Sequence, residues 1–349
     1  MPYNTPSPIR LTHYSSGAGC GCKIAPAVLE TILRVGGPPF DDPHLMVGYG
    51  SRDDAAVYDI GNGEALISTV DFFSPIVDDA MDFGRIAAAN ALSDVYAMGG
   101  TPLMAVAVLG WPVEKLPAAM AGQVVEGGRQ KCAEAGIVLA GGHSIDSPEP
   151  FFGLAVSGRV GHDHLKRNDT AQTGDLIVLT RALGSGVLST AMKRGLVQEK
   201  ESRAFIRHLS ALNSIGAQLG RSRSVTAMTD VTGFGLFGHL LEMSASTLSA
   251  VIEYDRVPLL EGVQDLLKSG CYADGALRNW KSYHNQVSGA EALAPMMVGS
   301  DPQTNGGLLL ALDPNGGDEV LGMLKDQGVA CSVIGRFEAR GSRSAVQVR

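Results

Sequence analysis

The chain predicts a two-domain α/β (α+β) protein with a flexible, glycine-rich segment at its N-terminus. Three observations carry this reading. Its 349 residues suffice for two domains. Hydrophobic residues make up 45% and charged ones 18%, which leaves ample apolar surface for real cores. Its 44 glycines fall in short clusters between apolar runs, which places tight loops between elements rather than low complexity.

In chain order, residues 1–25 read as irregular. A helix follows with Pro26 in its first turn and Val28, Leu29, Ile32 and Leu33 on one face, and Gly36-Gly37-Pro38-Pro39 ends it. Strand signals then run over Ala55–Ile60, Ala65–Val70, Leu103–Leu109, Ile137–Ala140 and Leu154–Val160. Two helices lie between them, Asp82–Met98 and Glu114–Ala135, and Gly99-Gly100-Thr101-Pro102 is a normal stop for the first. The polar stretch Gly161–Gly174 reads as the linker. Beyond it the pattern predicts strands at Asp175–Thr180, Ala250–Tyr254, Gly307–Leu312 and Ala330–Gly335. Helices are expected from Gly184-Ser185-Gly186 to Arg194 and over Arg203–Gly220, Gly235–Ser244 and Leu259–Leu267. The domains are therefore 1–48 (a mobile segment plus a helix), 49–162 and 170–349.

A net charge of −8 without a basic cluster excludes phosphate-driven nucleic-acid binding. The five cysteines, an odd number, argue against a disulfide framework; Cys132, Cys271 and Cys331 read as small buried hydrophobes. With no apolar signal region or membrane span, the sequence reads as a soluble, reduced, cytoplasmic protein.

Chemistry concentrates in two places. Gly17-Ala18-Gly19-Cys20-Gly21-Cys22-Lys23 sets two thiols and a cation on a backbone almost free of side chains. A nearby ammonium lowers a thiol's pKa, and small residues let such a hook, lying outside the core, fold over a site and open again. The second place is a set of carboxylates at element ends: Asp53-Asp54, Asp71 at the end of its strand, and Asp230 in a glycine-rich turn. Asn90 and Asp94 project from one face of an otherwise apolar helix, which is costly unless something binds them. Mg²⁺ wants carboxylate oxygens together with substrate phosphates. Three loops offer backbone N–H groups to phosphate: Gly141–Ser144, Gly184–Gly186 and Gly233–Gly235. No G-x-x-x-x-G-K-[ST] occurs, and no G-x-G-x-x-G opens a βαβ unit, so ATP use requires another fold.

The segments LTHYSSGAGCGCK (11–23), SRDDAAVY (51–58), STVDFF (68–73), FGRIAAANALSDVYAMGG (83–100), AGGHSI (140–145), AMTDVTGFGLFGH (227–239) and DPQTNGGLLL (301–310) resemble the selenophosphate synthetase (selenide, water dikinase) family. That family is a branch of the aminoimidazole-ribonucleotide synthetase-like superfamily. The resemblance implies that superfamily's two-domain fold, a homodimer formed through the N-terminal domains, and a cleft for ATP. It implies conversion of ATP, selenide and water to selenophosphate, AMP and orthophosphate, for selenocysteine or selenouridine formation, without nucleic-acid or membrane partners. By resemblance Cys20 and Lys23 are catalytic, and Asp54, Asp94 and Asp230 bind Mg²⁺. Asp71 and the Gly142-His143-Ser144 turn contact the nucleotide, with Asn90 beside them. Cys22 stays open between a resolving thiol, a second soft ligand and no role. Ser16 stands where some relatives carry histidine, and Asn305 where serine is common. Whether selenide arrives free or from a delivering protein is not set by these residues. Two alternatives use part of the pattern. Another ATP-dependent kinase or synthetase of the superfamily shares the aspartates but has no use for the hook, whereas a selenium or soft-metal carrier leaves the aspartates idle.

Overall fold

The computed structural model describes residues 9–24, 26–33, 42–48, 50 and 52–349. The expected helix stop at 36–39 and the Cys22 side chain lie outside the described residues.

The first sheet comprises β1 (Leu45–Val47), β2 (Ala56–Gly61), β3 (Glu64–Phe73), β4 (Thr101–Trp111), β5 (Val138–Asp146) and β6 (Phe151–Gly161), in the order β1-β2-β3-β6-β4-β5. Only β4 and β5 pair in parallel. After α1 (Pro26–Leu33), α2 (Ala80–Ala97) and α3 (Ala118–Glu134) cover one face of it. Their approach is backbone on backbone: a Cβ on Gly84 would stand 1.9 Å from the Val124 carbonyl oxygen, and one on Gly127 would stand 2.1 Å from that of Met81. Asp79 caps α2 by accepting the Asp82 N–H. From Phe83 to Ala97 only Arg85 escapes full burial, because α2 packs on the sheet with one side and on the second domain with the other.

The second sheet comprises β7 (Leu176–Leu179), β8 (Val225–Asp230), β9 (Leu248–Ile252), β10 (Val287–Ser288), β11 (Leu308–Leu312), β12 (Ser332–Ala339) and β13 (Val346–Val348). Its order is β10-β13-β9-β12-β7-β11-β8. The helices are α4 (Ser185–Lys193), α5 (Glu199–Leu209), α6 (Gly216–Leu219), α7 (Gly235–Ser244), α8 (Val263–Lys268), α9 (Asp274–Tyr283), α10 (Leu293–Ser300) and α11 (Gly317–Asp326). β9 and β11 are buried along their whole length.

Three expectations need correction. The helix expected over Arg203–Gly220 is two, α5 and α6, because Asn305 Nδ2 reaches in and takes the carbonyls of Leu209 and Ala211, where the helix would continue. Asp71 lies inside β3 rather than at its end, paired with Leu154. Residues 141–144 are strand rather than loop, with Gly142, His143 and Ser144 paired to Ala107, Val108 and Leu109 at the exposed edge of the first sheet. The Gly161–Gly174 stretch connects β6 to β7, and in it Asn168 is fully buried, its N–H donating to the Asp53 carboxylate and its side-chain amide to the Arg52 carbonyl. Cys132 and Cys271 are buried as expected, while Cys331 is half-buried. No helix among the described residues is long and apolar enough to cross a membrane.

Candidate active site

The hook docks at the seam between the two domains. Ahead of it, Arg10 Nε and the Thr12 N–H and hydroxyl all bind the Asp78 carboxylate, at 2.7, 3.0 and 2.5 Å. Gly19 then turns with φ of +52°, and its N–H donates to the Ser74 carbonyl; a Cβ there would stand 2.4 Å from Thr304 Oγ1, so only glycine fits. The Cys20 N–H donates to that same Thr304 Oγ1 at 3.0 Å. The hook was expected outside the core, but Cys20 is 1% exposed and belongs to it.

Asn90 explains its own presence on an apolar helix. Its Oδ1 accepts from the Cys20 thiol at 3.3 Å and from the Asn305 N–H at 2.7 Å, and its Nδ2 donates to Asp71. One fully buried amide therefore ties hook, first sheet and second domain together. Asn305 sits at φ +46°, a left-handed conformation that asparagine tolerates better than serine, which gives the departure at this position a backbone reason.

Around this amide the carboxylates converge. Asp94 accepts from Thr69 Oγ1 at 2.5 Å and Asp54 from Thr229 Oγ1 at 2.8 Å. Burial pushes Asp54 well above the usual carboxylate range, with Asp230, Asp53 and Asp94 adding repulsion. Asp94 is raised by burial and then by Asp230 and Asp71. Burial raises Asp230 as well, against the opposing pull of the Ser93 hydroxyl, His239 and Lys23. Lys23 is the counter-charge, 3.7 Å from Asp71 and 5.9 Å from the centre of the Phe234 ring. Burial works against its charged form, but Asp71, Cys20 when ionised, Asp94 and Asp230 outweigh that and hold it cationic.

Four carboxylates against one ammonium are short of positive charge. Asp54 and Asp230 each leave Oδ2 shut from solvent without a hydrogen-bond partner. These are hard oxygen donors of the kind Mg²⁺ takes. Among the described residues no three acidic, His or Cys side chains stand together in a geometry that would hold a metal ion by themselves.

The other expected residues lie elsewhere. Gly142, His143 and Ser144 are on exposed β5, and among the described residues no hydrogen bond or ion pair joins them to the carboxylates. The Gly184–Gly186 loop has no N–H to offer: Gly184 and Ser185 donate to Gln303 Oε1, and Gly186 donates to Asp301 Oδ2. Ser16, through its N–H and hydroxyl, binds Glu149. Sequence reading missed Thr69, Thr229 and Thr304, whose only signal was their place inside STVDFF, AMTDVTGFG and DPQTNGG.

Comparison with known proteins agrees with this architecture. Residues 52–160 match the AIR synthase related protein N-terminal domain and residues 172–347 the corresponding C-terminal domain. The chain is 51% identical over 343 residues to a selenide, water dikinase of Aeromonas hydrophila, covering 98% of this chain and 99% of the relative. It is 52% identical over 342 residues to one of Photorhabdus laumondii, covering 97% and 98%. Among solved structures, a thiamine-monophosphate kinase from Stenotrophomonas maltophilia superposes with a TM-score of 0.61 at 19% identity, over 94% and 96% of the two chains. The hydrogenase maturation protein HypE in complex with ATP gives 0.63 at 19% identity, over 97% and 94%; these two show the fold alone. The chain belongs to the selenide, water dikinase family, built from the paired N- and C-terminal AIR synthase related domains.

Proposed function

We propose that this protein makes selenophosphate from selenide, ATP and water, releasing AMP and orthophosphate, with Cys20 and Lys23 as catalytic residues. The observation that carries the site assignment is the docking of Cys20 on Asn90 beside the Asp54, Asp94 and Asp230 carboxylates, with Lys23 among them.

Asp54, Asp94 and Asp230 would hold Mg²⁺, which when bound supplies charge neutralisation to the phosphate oxygens. The chain's own residues do the rest. Lys23 stabilises charge developing on the transferred phosphoryl group, and because its neighbours hold it cationic it does not double as a base. Asn90 fixes Cys20 so that the thiol meets selenide on the phosphate side of the hook. Burial of Cys20 excludes water from a soft, oxidisable substrate, and a closed hook retains ADP long enough for its hydrolysis to AMP. Asp71 is assigned to nucleotide contact beside Lys23, and Gly142-His143-Ser144, which stand apart from the carboxylates on exposed β5, are assigned to it on the family resemblance alone.

We also propose a homodimer through the first sheet. Its face away from α2 and α3 exposes Tyr58, Ile60, Val70, Phe72, Leu103 and Val106, and an unpaired edge strand flanks it. Sedimentation giving a monomer at micromolar concentration would refute this. The chemistry is tested by anaerobic incubation with ATP and Mg²⁺, with and without selenide. Selenide-dependent AMP with a selenium-coupled phosphorus resonance is expected; ADP as end product or indifference to selenide would overturn the reading.

A further inference from the structure

The hook touches an element to which the chemistry above gives no task. Against α9, Arg278 Nη2 donates to the Gly21 carbonyl at 2.7 Å, across 257 residues of sequence. Among the described residues its guanidinium meets no carboxylate, so that carbonyl is its one fixed engagement there. The surfaces on either side are shaped for the contact. A Cβ on Gly233 would stand 2.8 Å from both the Cys20 carbonyl oxygen and Lys23 Cδ, and one on Gly275 would stand 2.9 Å from Pro302 Cγ. Asn279, the next residue of α9, is buried and donates to the carbonyls of Gly233 and Ser300, at 2.9 and 3.0 Å. The helix is thereby fixed to the floor beneath the hook. Between hook and helix remains a space of about 10 Å³ for the centres of water-sized spheres, room for about one water.

We propose that Arg278 is a positioning residue, the clasp that holds Gly21, and with it Cys20 and Lys23, over the carboxylates. The hook has a short backbone with few side chains to anchor it, so a hydrogen bond from a cation to its middle carbonyl weighs heavily in its balance between docked and undocked. Among the described residues Arg278 hydrogen-bonds neither the Cys20 thiol nor a carboxylate; it acts through the hook. The proposal rests on the reading of the hook as the reactive segment, and its test is independent of turnover.

The test is the alkylation rate of Cys20 in the full-length protein under iodoacetamide, without selenide, followed by peptide mass spectrometry with buried Cys132 as reference. Arg278→Ala is expected to speed labelling of Cys20 about tenfold, the scale of one charge-assisted hydrogen bond, and to leave Cys132 unchanged. Arg278→Lys, which keeps a cationic donor, should restore part of the protection. In turnover, Arg278→Ala should lower kcat and leave the nucleotide KM near that of the parent. Unchanged labelling of Cys20 in Arg278→Ala overturns the clasp, and so does a rise shared equally by Cys132, which would mean general loosening. A rise confined to Cys20, in a protein whose AMP formation ignores selenide, would keep the clasp and discard the functional reading instead.

Discussion

The chain carries two glycine-rich segments that look alike in sequence and do opposite things. Gly17–Lys23 lies at the domain seam with its thiol and ammonium turned to the carboxylates. Gly184–Gly186 is sealed inside the second domain, its N–H groups consumed by Gln303 and Asp301. Both need glycine: Gly19 has φ of +52° and Gly184 of +119°. The Gly19 and Cys20 N–H groups are taken as well, by the Ser74 carbonyl and Thr304 Oγ1, so what separates the two segments is that the hook carries a thiol and an ammonium at the seam and the buried loop carries no such group. Glycine clusters mark close approach; the groups they carry decide whether the approach serves a ligand or the protein itself.

The sharpest break of this contrast is Cys20→Ser, which should abolish selenide-dependent AMP formation while thermal unfolding stays close to that of the parent, since oxygen replaces sulfur without adding bulk. Substantial turnover in that variant would return the hook to the status of the buried loop. Gln303→Ala probes the other side. It strips the acceptor from two buried N–H groups and should cost about 2 kcal/mol in urea unfolding, with kcat per folded molecule little changed. Asp54→Asn should weaken Mg²⁺-dependent nucleotide binding at least about tenfold, the loss seen even for outer partners of a metal ligand. The same change should slightly raise the stability of the unliganded chain by removing one of several crowded negative charges; a stability loss would show that the repulsion is not there.

The smallest expected effect is a pH dependence near the Asn305 turn. Burial, followed by the Arg181 charge, pulls His208 down to about 4, and Arg181 itself donates to the Asn305 carbonyl at 3.1 Å. The unfolded chain then binds more protons between that value and the ordinary histidine pKa near 6.5. Stability should therefore fall as pH drops from about 6.5 toward 4, and His208→Gln should flatten that part of the curve in urea titrations at fixed ionic strength.

Much of the fold was legible because α2 and α3 are long runs free of internal proline, α2 ends in a glycine stop, and the strands are apolar runs between glycine clusters. The site was legible where chemistry overrode local logic: Asn90 and Asp94 on an apolar helix, and two thiols beside Lys23. The remainder was hidden for long-range reasons. Nothing near residue 210 announces that Asn305 will end α5 there. Residues 141–144 read as a phosphate loop because glycines suit both a loop and a close-packed strand, and only pairing with β4 decides. Arg278 lies on an amphipathic helix, where an exposed cation is unremarkable until the hook is placed beside it.

The backbone contacts of Gly84 with Val124 and of Gly127 with Met81 set an order of failure on heating. Helix α2 cannot roll about its axis without driving Gly84 into the Val124 carbonyl, so the azimuth of Asn90 and Asp94 is as stiff as the first domain itself. The hook packs closely too, Gly19 on Thr304 and Cys20 on Gly233, but it is a short segment with no α-helix of its own to brace it. A warmed sample should accordingly lose turnover well before its circular dichroism changes, and regain it on cooling, because what melts first is the contact between a stationary anvil and a removable tool.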